Sequence, residues 1–136
     1  MKLLVVTTEP ITAEQLRAAV PNDVDPADAE VLVIAPALHR SVLHFWLSDA
    51  DEAIAKAEAV RRETVDELDS AGVPAASDTG ESDPMTAITD TLETFAADRI
   101  VLFTHRDDRQ RYREDVDAHE VEDRLGIPVD HALLSR

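Results

Sequence analysis

The sequence contains no cysteine, which excludes a disulfide framework, a thiolate metal site and a cysteine nucleophile. Only two of its basic residues are lysines, Lys2 and Lys56, and the others are arginines. Its three glycines are Gly72, Gly80 and Gly126. Glycine lets the backbone approach a phosphate closely, so these positions limit where a glycine-rich phosphate loop can lie. No apolar run reaches membrane-spanning length, and no membrane partner is expected.

Negative charge dominates the composition. Lysine and arginine total 13 against 29 aspartates and glutamates, which leaves a formal net charge of −16. Such a field repels nucleic acid and anionic membranes, so neither is an expected partner. We interpret the acidity as a solvated surface rather than an acidic recognition face; a GC-rich genome or a high-salt cytoplasm would each account for it. The apolar segment at residues 1–8 is too short and wrongly flanked for a signal peptide. We therefore expect a cytoplasmic protein.

Length and periodicity predict one α/β domain over residues 1–136. Apolar runs typical of buried strands lie at 2–7, 30–35 and 99–103. A short, weakly apolar strand is expected at 73–78, at an edge of the sheet because Pro74 lacks a backbone donor, and a fifth strand, also at an edge, at 128–134. Helical patterns alternate with them, and Thr12 and Gln15 form a capping-box pattern at the start of the first helix. Continuous apolar strands with crossover helices indicate a single doubly wound five-stranded parallel sheet with helices on both faces.

Three short segments resemble the universal stress protein family. Residues 69–74 (DSAGVP) resemble the family's entry to its third strand, 80–88 (GESDPMTAI) its entry to the third helix, and 96–102 (AADRIVL) its fourth strand. The resemblance covers nearly the whole chain. It implies a Rossmann-like, adenine-nucleotide-alpha-hydrolase-like fold with strand order 3-2-1-4-5 and a role in the stress response. It also implies a homodimer formed through the fifth strand, between Val129 and Leu134.

The sequence departs from the family's ATP-binding members at two places. Those members carry G-x-x-G, about nine residues, then G-S/T after the fourth strand, whereas the segment 104–113 (THRDDRQRYR) has no glycine. They also carry an aspartate at the end of the first strand, where this chain has Thr7, Thr8 and Glu9. We therefore expect no cofactor and no ATP binding in the family's usual manner, while another mode of nucleotide binding stays open.

A ligand site, if present, is expected outside the carboxyl ends of the strands, at the point where the strand order reverses. The strand order that the resemblance implies places this point between the first and fourth strands. The candidate ligand-binding residues are Thr7, Thr8, Glu9, Arg40, Thr104, His105, Arg106 and Arg109. Guanidinium groups can hold phosphates or carboxylates bidentately. The alternative is that interleaved acids such as Asp107 and Asp108 neutralise these arginines on an exposed helix start. His105 either donates a hydrogen bond to an anion or acts as a general base, or it is an orienting or merely exposed histidine.

The leading functional hypothesis is a dimeric regulatory or interaction module. Its expected partner is a second copy of itself, and a further protein partner stays open. The alternative is a binder of a nucleotide or other anionic metabolite through arginine side chains. A hydrolase-type enzyme comes last, because no complete set of nucleophile, base and anion stabiliser is visible. No histidine spacing fits a metal site, so no metal is expected. The apolar stretch 38–47, which holds Trp46, is either a flap or docking surface, or ordinary packing at the sheet.

Overall fold

A five-stranded parallel sheet forms the centre of the computed structural model, which describes residues 1–35, 50–79, 84–104 and 118–133. In chain order the strands are β1 (Lys2–Val6), β2 (Glu30–Ala35), β3 (Ala75–Thr79), β4 (Arg99–Thr104) and β5 (Val129–Leu133). They pair in the order β3-β2-β1-β4-β5, and every pairing is parallel. This arrangement confirms the fold class and the strand order predicted from the sequence.

Helices connect successive strands. They are α1 (Ala13–Ala19), α2 (Ala50–Ser70), α3 (Pro84–Leu92) and α4 (Ala118–Leu125), with a short 3-10 helix at Pro26–Asp28. The predicted capping box is present, since Thr12 Oγ1 accepts from the Gln15 N–H at 3.1 Å and Gln15 Oε1 accepts from the Thr12 N–H at 2.9 Å. Such a box satisfies two N–H groups that the first turn leaves open. The sequence also predicts Ser48 as the cap of the second helix and Asp83, followed by Pro84, as the cap of the third, and both residues lie outside the described ranges.

Alternate residues of the central strands face opposite helix layers. On β1, Leu3 and Val5 pack in one apolar cluster with residues of α1 and α2, while Leu4 and Val6 pack in a second cluster with residues of α3 and α4. A strand buried on both faces needs apolar residues at every position, because its side chains alternate between the faces. The continuous apolar run from Leu3 to Val6 meets that need.

The buried face of α2 differs in part from the predicted one. The sequence predicts Ile54, Ala57, Val65 and Leu68 near one inward face. The side chain of Ile54 lies outside the part of the chain that the structure describes. Leu68 is fully buried, whereas Ala57 and Val65 are only partly buried, and the buried line also contains Val60 and Thr64. Thr64 is polar, so a pattern built on apolar residues alone passes over it.

The two edge strands of the sheet are β3 and β5. The edge position of β5 agrees with the prediction, and the strand follows Gly126, whose φ of +67° suits a residue without a Cβ at a helix end. Leu133 near the end of β5 is 59% exposed, and His131 is also exposed. The predicted strand end at Leu134 lies outside the described residues.

Candidate functional site at the carboxyl edge of the sheet

The carboxyl ends of β1 and β4 lie side by side, because β1 pairs with both β2 and β4. The connections from β1 and from β4 run towards opposite edges of the sheet, so these two ends form the switch point where open α/β sheets bind ligands. Among the predicted site residues, Thr7, Thr8, Glu9 and Thr104 lie here. The other four, Arg40, His105, Arg106 and Arg109, lie outside the described residues.

The end of β1 closes in a tight hydrogen-bonded turn. The N–H of Thr7 donates to the carbonyl oxygen of Ile34 at 3.2 Å and so continues the ladder to β2. The hydroxyl of Thr7, which is fully buried, donates to the carbonyl oxygen of Glu9 at 2.6 Å and accepts from the Glu9 N–H at 3.3 Å. A threonine hydroxyl commonly replaces a backbone partner in this way where a strand turns into a loop. Thr7 therefore shapes the turn, and its neighbour Thr8 is buried beside it.

Glu9 holds an ion pair with α2. Lys56 Nζ lies 2.9 Å from Glu9 Oε1, and the two side chains are 40% and 16% exposed. The only other lysine of the chain is Lys2. The negative charge of Glu9 at the switch point is therefore compensated by a cation from the chain itself.

Sequence reasoning missed Lys56, which lies 47 residues from Glu9. A second contact links the same segments, since the buried hydroxyl of Thr64 accepts from the N–H of Ile11 at 3.4 Å. Lys56, Val60, Thr64 and Leu68 recur every four residues, which places them along one side of the helix. This four-residue spacing was the signal in the sequence that could have placed Lys56 on the inward side of α2.

Thr104 ends β4 and points its hydroxyl at the edge strand. Thr104 Oγ1 lies 2.7 Å from His131 Nε2, and the direction of this hydrogen bond follows the imidazole tautomer. In the register, His131 is opposite Leu102 and Thr104 is opposite Leu133, so the bond is a diagonal contact on one face of the sheet. Sequence reasoning missed His131 as a member of the site, because only the register between β4 and β5 brings the two residues together.

A hydroxyl hydrogen-bonded to an imidazole is also the pairing that a nucleophile and its base require. Thr104 is only 3% exposed, so its hydroxyl is shielded from solvent. The pairing joins β4 to β5 and satisfies the buried hydroxyl group of Thr104.

Other features of the described residues lie away from this edge. An open depression of about 620 Å³ lies at the amino edge of the sheet, beside Lys2, Asp28, Glu30 and Asp98. It is remote from the switch point and contributes no group to it. Within the ranges that the structure describes, no three histidine or acidic side chains gather as a metal site would require. The absence of a metal stays a prediction for the chain as a whole.

Comparisons with known proteins bear on the fold. No protein-family model matches the sequence, and no curated protein matches it either. Among solved structures, the chain is similar to a universal stress protein from Archaeoglobus fulgidus, with a TM-score of 0.62 and 18% sequence identity. The match covers 96% of this chain and 92% of that chain. No helix in the described part of the chain is long and apolar enough to traverse a bilayer. The chain thus has the Rossmann-like fold of a universal stress protein, as its sequence resemblance implied.

Proposed function

We propose that this protein is a non-catalytic regulatory or interaction module that works as a homodimer and does not bind ATP in the manner implied by the resemblance. One observation carries the proposal. The described polar side chains at the switch point already bond within the chain, Glu9 to Lys56 at 2.9 Å and Thr104 to His131 at 2.7 Å. A ligand seated between β1 and β4 has to compete with both contacts.

The segment after β4 supports the same proposal. A phosphate cradle depends on backbone N–H groups that approach the ligand closely, which is why such loops are rich in glycine. Residues 104–113 contain no glycine, and two adjacent aspartates, Asp107 and Asp108, bring negative charge into the same stretch. Both properties oppose a bound triphosphate.

The edge strand supports the homodimer. An open edge exposes unpaired backbone N–H and carbonyl groups, and proteins usually cover or charge such an edge. The α4 side of β5 carries no charge that is fixed at neutral pH, since its residues are Val129, His131 and Leu133. A second copy of the chain would cover both the backbone groups and the 59% exposed side chain of Leu133.

Titration calorimetry with magnesium and ATP tests the nucleotide part of the proposal. We expect no saturable heat under conditions in which a universal stress protein that carries the G-x-x-G and G-S/T segments binds ATP. Stoichiometric binding that is lost when residues 104–113 are altered would overturn the proposal. Binding without any dependence on that segment would place the nucleotide elsewhere on the molecule.

A second candidate function is the binding of an anionic metabolite or nucleotide by arginine side chains. The sequence favours it in one respect, since Arg40, Arg106 and Arg109 follow predicted strands in a chain of net charge −16. Guanidinium groups bind phosphates and carboxylates through paired hydrogen bonds. His105, between Thr104 and Arg106, would add a further donor.

A double substitution tests this candidate, Arg106→Gln with Arg109→Gln. The matched control replaces Arg17 and Arg62, which are exposed on α1 and α2, with glutamine. Both variants change the net charge equally. Loss of inorganic phosphate or nucleotide binding in the first variant alone would support the candidate, and equal affinity in both would exclude it. An acid–base enzyme using His105 or Glu9 ranks last, since Glu9 is held by Lys56.

A further inference from the structure

We propose that His131 lies on the two-fold axis of a β5–β5 contact, opposite the partner's His131, and that protonation of the two imidazoles weakens the assembly. The inference rests on the homodimer proposed above and adds a register and a regulation to it. The observations behind it are the position of His131 in β5, its exposure and the distribution of charge along the strand.

The register follows from the length of β5. A symmetric dimer places the same residues on both sides of its contact, and two copies of one edge strand then pair antiparallel. β5 runs from Val129 to Leu133, so a two-fold axis through His131 pairs all five of its residues. Shifting the axis by one residue to Asp130 would pair fewer residues and place two carboxylates opposite each other, which is destabilising.

The same register covers the exposed leucine. With the axis at His131, Leu133 lies opposite the partner's Val129 on the α4 side of the sheet. Val129 is partly buried and already packs against the cluster under α4, whereas Leu133 is 59% exposed. Two apolar cross-strand pairs then flank the central pair of imidazoles. Each copy carries a net charge of −16, so a strand whose own side chains on the α4 side include no carboxylate is where two copies can approach. The carboxylate of Glu122, which accepts from the Val129 N–H, has to release that group to the partner strand.

Imidazole is the side chain that ordinarily changes charge between about pH 5 and 8. Residues directly opposite in antiparallel strands have Cβ atoms about 4.5–5.5 Å apart, so two imidazolium groups there repel strongly. His131 is exposed, and its Nε2 is engaged with Thr104 Oγ1 at 2.7 Å. Protonation preserves that bond with the imidazole as donor, so the new charge acts on the contact between copies.

The groups around His131 leave this charge without a close counterion in the described residues. On β4, its neighbours are Leu102 and the hydroxyl of Thr104. On β5, Asp130 faces the other side of the sheet, where it pairs with Arg99 at 2.9 Å. The α1 helix, with Glu14 and Arg17 as its charged residues, also packs on that other side.

The helix α4 packs over the same side of the sheet as His131. Its described charged side chains are Glu122, Asp123 and Arg124, all exposed. Glu122 lies nearest to β5 because its Oε2 accepts from the N–H of Val129 at 3.3 Å, at the opposite end of the strand from Leu133. In the pair, Glu122 of each copy lies at an end of the contact, beside Val129, whereas the two imidazoles lie directly opposite each other at its centre, so the repulsion between them decides the response to pH.

Sedimentation equilibrium at about pH 8 and about pH 5.5, at constant ionic strength, tests the inference across the imidazole range. We expect the wild-type dimer to show a dissociation constant at least about tenfold higher at the acidic pH. His131→Gln keeps a hydrogen-bonding group but cannot be charged, so its dimer should not respond to pH. His131→Lys carries a fixed charge and should dimerise weakly at both pH values.

Each outcome separates the inference from the homodimer on which it rests. A wild-type dimer that is indifferent to pH overturns the inference and leaves the homodimer standing. Equal weakening of wild type and His131→Gln on acidification also overturns it, since the titrating group then lies elsewhere. A chain that is monomeric at both pH values contradicts the homodimer itself. Circular dichroism of each variant at both pH values confirms that the comparison is made between folded proteins.

Discussion

Replacing Asp130 with asparagine tests what holds the edge strand on the sheet. Arg99 Nη1 donates to Asp130 Oδ1 at 3.1 Å and to Oδ2 at 2.9 Å, and the two side chains are 21% and 20% exposed. The buried Arg99 Nε has no partner among the described residues, so Asp130 is the main anchor of this guanidinium. Asparagine retains the shape of the side chain but removes its charge, which leaves the Arg99 charge partly shielded from water and uncompensated.

The size of the effect follows from the burial of the pair. Exposed ion pairs contribute about 0–1 kcal/mol, whereas removing one partner of a fully buried pair costs about 3–5 kcal/mol. Side chains that are about one-fifth exposed fall between these limits, so we expect a loss of about 2 kcal/mol in the free energy of unfolding. At this chain length, 1 kcal/mol shifts Tm by about 3–5 °C, so Tm should fall by roughly 6–10 °C.

Urea unfolding followed by circular dichroism measures this loss, with Asp123→Asn as the matched control. Asp123 is exposed on α4, and its substitution changes the net charge by the same amount. We expect the control to stay within about 0.5 kcal/mol of wild type. If Asp130→Asn were as stable as Asp123→Asn, the ion pair would not anchor β5 and the reasoning would be refuted.

The remaining predictions concern core packing, backbone conformation, helix capping and the ion pair at the switch point. Leu68→Ala should lower the free energy of unfolding by about 2–5 kcal/mol in urea melts, because Leu68 is fully buried; a loss under 1 kcal/mol would contradict its place in the core. Gly126→Ala should lower the free energy of unfolding by about 1–2 kcal/mol, because a φ of +67° is strained for a residue with a Cβ. An unchanged Tm would show that alanine is not strained at this position. Thr12→Ala should cost about 1 kcal/mol, while Thr12→Ser should be nearly neutral by the same assay. Glu9→Gln should cost about 1 kcal/mol or less, and raising the salt concentration should shrink its difference from wild type, since Lys56 is 40% exposed.

The three central strands were predictable from sequence because they are buried on both faces. A continuous apolar run such as the one from Leu3 to Val6 fits that environment and little else, and the capping box at Thr12 marks a helix start by a local rule. The strand order was implied by the family resemblance rather than by these patterns. Local rules carry no information on which strands become neighbours.

The contacts of the candidate site were less predictable because they join residues distant in sequence. Thr104 and His131 meet only when the β4–β5 register is known, and Glu9 and Lys56 meet only when α2 has been placed against the end of β1. Thr64 was missed because a polar residue on a buried helix line does not follow the apolar period. The family resemblance located the switch point through its strand order, and tertiary packing determined how the side chains there bond.

Native mass spectrometry of the protein purified from its own host tests the central claim most directly, since it reports stoichiometry and any retained small molecule together. We expect one species at twice the 15.0 kDa mass of a single chain, without an added nucleotide. A species that carries one adenine nucleotide per chain, or a protein that remains a single chain, would show that the protein is not the nucleotide-free homodimer proposed above.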